Sequence, residues 1–177
     1  MYTTSANTSR PSIRDAVANF LVRSLTPLYQ TIRYKRKPWQ TTKNDLKQCG
    51  PGTLGNAMYR FLDKHDLDLI PKAETHDVWH VLFGYTIEMK DEMSIQFVVL
   101  GNGRHSAPYL YSCLVAVLMY PEYWGSFYTA YQRGASAISF AHFNFEELLN
   151  EDLAALRKSI FGSGIQNEGL ISQYSHQ

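Results

Sequence analysis

The chain is poor in cysteine: Cys49 and Cys113 are the only two among its 177 residues. Two isolated cysteines form neither a disulfide framework nor a zinc finger, so a reducing compartment is expected. Long apolar runs are also missing. The most lipid-like stretch, residues 107–120, is shorter than the roughly 20 residues that a membrane span needs, and the first residues lack the apolar core of a secretory signal. These absences predict a protein that is soluble or lies on a membrane without crossing it.

Strand-like alternation of apolar and polar residues is also absent, as are repeats and low-complexity tracts. Apolar residues instead recur at helical spacing in segments that end at proline or glycine. The sequence therefore predicts an all-α fold, a single-domain bundle of six to eight helices. The expected organisation is a flexible N-terminal segment over residues 1–12, one helical domain over 13–162 and a polar C-terminal tail over 163–177.

Capping residues mark several of the expected helix ends. Thr53 is a suitable N-cap for a helix that begins at Leu54, and Thr75 is a candidate cap for the next helix. Gly84 is suited to end that second helix. Asn144 with Glu147 fits a capping box at a short turn.

Charge is unevenly distributed along the chain. The formal net charge is +1, yet residues 1–40 carry seven basic residues and one acidic residue, so they sum to +6 and the remainder to −5. A basic arm on a mildly acidic body suggests contact with an anionic surface, either lipid head groups or nucleic acid. A solvated N-terminus explains the same pattern equally well.

An apolar stripe lies within this basic arm. Ile13, Val17, Phe20 and Leu21 fall on one side of a helix. Such a stripe more often packs on the domain core, which is the expectation here, whereas a helix lying in a membrane interface is the alternative.

The strongest candidate site lies in the segment ETHDVWHVLFGYTIEMKDEM, residues 74–93. His76 and His80 are four residues apart, so a helix presents both imidazoles on one face. Pairs at this spacing are suited to holding one divalent ion. Asp77 is a further ligand or an orienting group. Glu92 joins the histidines only if the chain turns back near Gly84, so that the carboxylate faces them across a helical hairpin.

Two other interpretations of these residues stay open. Hydrogen-bonded core histidines beside surface acids explain the spacing about as well as a metal does. A metal-dependent phosphohydrolase is the second, because His76–Asp77 and His65–Asp66 are His-Asp doublets. That chemistry also needs a distant downstream aspartate, for which Asp152 is the candidate.

The motif also resembles a known family. HDVWH, followed by eleven residues and Glu92, is similar to the signature of the coenzyme Q (ubiquinone) biosynthesis protein 4 family. The blocks PGTLGNAMYRFLDKHDLDLIP, HVLFGY and YQRGASAISFAHFNFEELLNEDLAALRKSIFG resemble the flanking regions of that family. The resemblance extends over most of residues 10–162. Asp91 and Met93 depart from the residues expected beside the glutamate.

This resemblance implies a metal-binding protein of ubiquinone or related prenylquinone biosynthesis that acts on a prenylated aromatic ring intermediate. It implies a metal site of His76, Asp77, His80 and Glu92, with zinc expected first and iron or manganese as alternatives. The implied activity is oxidative decarboxylation at ring carbon 1. A non-catalytic scaffold that binds prenyl lipid and organises a biosynthetic complex is the alternative.

Partners and location follow from the same resemblance. The expected partners are a prenylated quinone precursor or another isoprenoid lipid, a membrane surface and other quinone-biosynthesis proteins. No nucleic acid is expected as a partner. A homodimer is left open. The location would be cytoplasmic and peripheral to the membrane in a bacterium, or the matrix side of the mitochondrial inner membrane in a eukaryote. Helices over 107–139 contain Gly134, Ala135 and Ala137, which could leave a groove for the tail, although ordinary core packing is commoner.

Overall fold

The computed structural model describes residues 13–24 and 37–162. These residues form eight α-helices and one 3₁₀ turn, Pro121–Tyr123, with no named β-strand among them. The helices are α1 Ile13–Ser24, α2 Lys43–Gln48, α3 Leu54–Lys64, α4 Glu74–Phe83, α5 Met89–Gly101, α6 Ala107–Met119, α7 Trp124–Ser136 and α8 Leu153–Phe161. The predicted all-α class and helix number are confirmed. The segments 1–12 and 163–177, and most of the basic arm, lie outside the described residues.

Side-chain caps start three of these helices. Thr53 accepts from the N–H of Asn56 at the start of α3, as predicted, and Asp152 caps α8 through the N–H of Ala155. The sequence interpretation passed over α2, whose cap Thr42 forms a reciprocal capping box with Asp45.

The predicted cap Thr75 is wrong, because α4 already begins at Glu74 and Ala73 occupies its N-cap without a side-chain bond. The reason lies in the preceding loop. The buried carboxylate of Glu74 accepts hydrogen bonds from the backbone N–H groups of Lys72 and Trp39 at 2.9 and 3.1 Å. A side chain in the first turn of α4 therefore fixes the preceding loop, and no N-cap side chain does so.

Close approach of α5 and α7 organises the centre of the bundle. A Cβ added at Gly134 would lie 1.9 Å from the carbonyl oxygen of Val98, and one added at Gly101 would lie 2.1 Å from the carbonyl oxygen of Tyr131. The two backbones therefore touch where only glycine fits. The space at Gly134, where the sequence allows a groove for the tail, is filled by α5.

The expectation that the α1 stripe packs on the core is wrong for most of its residues. Leu21 packs against the core, but Ile13 is 86% exposed and Phe20 70% exposed. α1 rests on α6, whose own outer side carries Leu114 and Leu118 in exposed positions. A helical period identifies which residues share a face, but it does not say whether protein or something else covers it. None of the described helices is long and apolar enough to cross a membrane.

Candidate metal centre

A helical hairpin brings the site residues together. α4 ends at Phe83 and is capped by Gly84, whose φ of 74° is readily adopted by glycine and whose N–H donates to the carbonyl of His80. Asp91 then fixes the returning turn by accepting from the N–H and the hydroxyl of Thr86 at 2.8 and 2.7 Å. Glu92 consequently lies in the first turn of α5, as the sequence predicted, and faces back towards α4.

Two arginines from later helices hold the C-terminal end of α4. Arg157 donates to the carbonyls of Leu82 and Val81 at 3.1 and 2.6 Å, and Arg133 donates to the carbonyl of Phe83 at 2.7 Å. The last carbonyls of a helix have no partner within the helix, and cations there also oppose the negative end of its dipole. The helix that carries the histidines is thus anchored to both α7 and α8.

Three potential ligands converge in the hairpin. The Nε2 atoms of His76 and His80 lie 3.2 Å apart, and the Glu92 carboxylate lies 3.1 Å from His76 Nε2 through Oε2 and 3.2 Å from His80 Nε2 through Oε1. Ligands on a tetrahedral zinc, at about 2.0–2.1 Å from the ion, are about 3.3 Å from one another. The triangle formed by the three residues is close to that size, so the donor set fits a divalent ion such as zinc.

The surroundings of His80 select the form of the ring that binds metals. Its Nδ1 lies 3.4 Å from the carbonyl oxygen of Tyr85. Because a carbonyl only accepts, this contact suits the neutral tautomer with its proton on Nδ1, and that tautomer directs the Nε2 lone pair at the other two ligands. Phe61 stacks on the same ring with centroids 5.0 Å apart, which holds its plane.

Solvent reaches the three ligands unequally. The His80 side chain is fully buried, while the side chains of His76 and Glu92 keep 19% and 24% exposure. A structural zinc site is usually closed by four protein ligands, whereas a catalytic site keeps a position for water or substrate. The exposed side at His76 and Glu92 offers such a position.

Charge coupling within the triad is strong. Burial alone would lower the pKa of His80, but the hydrogen bond and charge of Glu92, with the charge of Asp77 and the Tyr85 carbonyl, raise it overall. Burial alone would raise the pKa of Glu92, but His76 and His80 lower it far below its usual range. The carboxylate is therefore ionised over the whole physiological pH range and ready to bind a cation.

Asp77 is placed apart from the other three predicted ligands. Among the described residues, the one group of three or more potential ligands with atoms within 4.8 Å of each other is His76, His80 and Glu92. Asp77 is buried on α4 beside His76, and its charge acts on His80. Direct ligation by Asp77 remains a prediction, and its charge effect on His80 indicates an electrostatic role.

The structure does not support the His-Asp doublet phosphohydrolase interpretation, because the additional residues that it requires are not at the site. His65 is outside the triad, and Asp152 is committed to capping α8 through its bond to the N–H of Ala155 at 2.7 Å. Sequence reasoning missed Arg133 and Arg157, which lie 50 and 75 residues from the carbonyls they bind. No local pattern could have indicated such distant pairs.

A family model matches this chain in sequence, and a solved structure resembles it in fold. The family model described as coenzyme Q (ubiquinone) biosynthesis protein Coq4 matches residues 69–165, which include the whole hairpin. No curated protein matches the sequence. A crystal structure from Nostoc punctiforme, of a protein assigned to ubiquinone biosynthesis, superposes with a TM-score of 0.57 at 18% identity, over 86% of each chain. At that identity the superposition shows a shared fold.

Proposed function

The chain belongs to the coenzyme Q (ubiquinone) biosynthesis protein Coq4 family, whose role is in ubiquinone biosynthesis, and on this premise we propose that it binds one divalent metal ion and acts on a prenylated aromatic ring. His76, His80 and Glu92 would hold the ion. The observation that carries the proposal is the convergence of two imidazole nitrogens and one carboxylate at 3.1–3.2 Å.

Zinc is the first expectation for the ion, with iron or manganese as alternatives, because two imidazoles and a carboxylate suit all three. When bound, such an ion supplies a Lewis acid that neutralises a ring carboxylate or phenolate. The chain's own residues prepare this. Tyr85 fixes the His80 tautomer through its carbonyl, and Asp91 holds the turn that presents Glu92. The partly exposed side at His76 and Glu92 admits the anionic end of the ring.

The reaction class we propose is oxidative decarboxylation at ring carbon 1: the bond from carbon 1 to the carboxyl group breaks, the carboxyl carbon leaves as CO₂, and a hydroxyl takes its place. The hydroxyl oxygen and the two-electron oxidation would come from an external oxidant such as dioxygen, acting as a co-substrate. The prenyl tail would lie along the apolar side chains of α6 and α7, between Tyr109 and Tyr131. Burial of each CH₂ contributes about 0.8 kcal/mol, so a short-tailed analogue should bind much more weakly than a long one.

A second role is favoured by a specific surface. The apolar face consists of outward side chains on α1 and the adjoining α6: Ile13, Val17, Phe20, Leu110, Leu114 and Leu118. Exposed apolar patches of this kind mark contacts with a membrane or another protein. We propose that this face rests on a membrane surface, aided by the basic residues of the first 40. A scaffold that binds prenyl lipid there, with a structural metal, is the alternative to catalysis.

Complementation of cells that lack this protein tests the function. Those cells should accumulate a prenylated ring intermediate, and the wild type should clear it. Glu92→Ala should fail to clear it, whereas Glu88→Ala, which removes an exposed carboxylate at the start of α5, should succeed. Full restoration of quinone synthesis by both Glu92→Ala and His76→Ala would leave the scaffold as the function. An unchanged set of prenylated intermediates would refute both roles.

Vesicle sedimentation tests the membrane proposal. Leu118→Glu places a charge on the apolar face and should reduce binding to anionic vesicles, while Gln132→Glu adds the same charge to an exposed position of α7 and should not. Binding should weaken as salt screens the basic arm. The proposal would be contradicted if Leu118→Glu and a chain lacking residues 1–26 both bound the vesicles as strongly as the wild type.

A further inference from the structure

A small cleft at the beginning of α4 collects positive charge. Its volume is about 210 Å³, and its walls include the cations Lys37, Lys72 and Arg104 together with the rings of Trp39 and Phe143. None of these residues belongs to the metal triad. Three cations from separate parts of the chain meet around one small volume, which is smaller than the usual pocket for a drug-sized ligand.

The residues that line the cleft also include one carboxylate. Glu74 also lines the cleft, but its Oε1 already accepts the backbone N–H groups of Lys72 and Trp39. The formal charge of the walls is therefore +2. An anion with two negative charges would balance it, and Arg104 offers a planar fork of donors suited to phosphate oxygens.

The fold holds the Arg104 side chain and the backbone of Lys72 in place. Arg104 donates to the carbonyl of Ala141 at 3.0 Å, and its guanidinium lies 5.6 Å from the centre of the Trp79 ring. Lys72 has a φ of 68°, in the left-handed region that residues with a Cβ rarely adopt. Strained backbone of this kind concentrates at ligand sites, where the surrounding structure enforces it. Here Glu74 enforces it by binding the N–H of Lys72.

We propose that this cleft binds a phosphate group, as a phosphate monoester or diphosphate, at a site separate from the metal centre. Trp79 connects the two sites, because Arg104 lies over it and the His76 ring lies 6.1 Å from it. Lys37, Lys72 and Arg104 pair with the phosphate oxygens, and Trp39 and Phe143 enclose the neighbouring apolar part of the ligand. The phosphate can come from a soluble ester or from a lipid head group, since both present the same oxygens.

Calorimetric titration of the full chain with inorganic pyrophosphate, in buffer free of divalent metal, tests this site. Arg104→Gln should weaken binding by about tenfold or more, as expected for loss of a charge-assisted pair. Lys72→Asn should weaken it as well while raising thermal stability, because asparagine adopts a positive φ at a lower cost than lysine. Lys158→Gln removes a charge from an exposed position on α8 and should leave binding unchanged.

Three results with the wild type and the cleft variants would overturn the proposal. They are no binding of pyrophosphate by the wild type, equal binding by the wild type, Arg104→Gln and Lys72→Asn, and tighter binding of benzoate than of pyrophosphate. His80→Ala should retain pyrophosphate binding, and its loss there would assign the anion to the metal centre instead. Failure of the metal site alone would therefore leave this cleft intact.

The source of the phosphate is resolved by competition. Vesicles of phosphatidylcholine containing phosphatidic acid should bind the wild type more strongly than Arg104→Gln if the natural ligand is a lipid head group, and pyrophosphate should then displace them. If the two proteins bind these vesicles equally while pyrophosphate still distinguishes them, the ligand is a soluble phosphate ester.

Discussion

Replacing Gly134 by alanine should destabilise the bundle through one added carbon atom. Gly134 lies on α7 against α5, and a Cβ there would approach the Val98 carbonyl oxygen to 1.9 Å, its carbonyl carbon to 2.8 Å and its Cα to 3.0 Å. All three atoms belong to backbone, so no side chain can rotate out of the way. The two helices must move apart by more than about 1 Å to restore ordinary contact.

The expected loss of stability follows from that separation. Extra methylenes in a packed core cost about 1–3 kcal/mol, and a clash with backbone should lie at or above the upper end. For a chain of this size, each kcal/mol lowers Tm by about 2–4 °C. Gly134→Ala should therefore unfold roughly 6–12 °C below the wild type. α5 also carries Glu92, so any displacement that remains in the folded protein should loosen the metal centre.

Gly125→Ala is the matched control on the same helix. A Cβ at Gly125 meets no atom within 4 Å. Alanine is favoured over glycine inside a helix by about 0.5–1 kcal/mol, so this variant should be as stable as the wild type or more stable. Thermal and urea unfolding, followed by far-UV circular dichroism, measure both variants. A Gly134→Ala protein whose Tm equals or exceeds that of the wild type would refute the close approach of α5 and α7.

Two further predictions concern the hairpin. Asp91→Ala removes both bonds to Thr86 and should cost about 2 kcal/mol in urea unfolding and about tenfold or more in metal affinity, whereas Glu88→Ala should change neither. In metal-free protein, the lowered pKa of Glu92 adds stability that is lost as pH falls below about 4.5, its unfolded value. The raised pKa of His80 adds stability that is present below about pH 6.5 and lost as pH rises through the folded value. The contribution of the pair should therefore be greatest between these limits, and Glu92→Gln should flatten both slopes in unfolding measured from pH 3 to 9. Unchanged slopes would contradict the coupling.

The hairpin was accessible to sequence reasoning because its determinants are local. His76 and His80 are one helical turn apart, Gly84 ends the helix, and Glu92 follows after a short turn. Each step depends on backbone periodicity or on a single residue's conformational preference, which a linear sequence displays directly.

Features that depend on distant parts of the chain were not accessible. Arg133 and Arg157 reach the end of α4 from 50 and 75 residues away, and the basic cleft brings Lys37 together with Arg104, which lies more than 60 residues further along the chain. The sequence identifies a small residue at position 134, but it does not indicate that α5 fills the space beside Gly134. Sequence spacing fixes which side chains share a face, but only the packed bundle shows what lies against that face.

The outward position of Phe20 has the same explanation. Its apolar stripe is consistent with either a core contact or a membrane contact, and the core contact is the commoner of the two. The structure leaves this residue 70% exposed, so the less common alternative gained support.

Metal content is the most direct test of the central claim. Protein purified without chelators and supplied with Zn²⁺, Fe²⁺ or Mn²⁺ should hold about one equivalent of ion by elemental analysis. His80→Ala should retain little or none while keeping nearly unchanged far-UV circular dichroism, and His142→Ala, outside the triad, should retain the full equivalent. Wild-type protein that holds less than about half an equivalent of every one of these metals would contradict the assignment of the site.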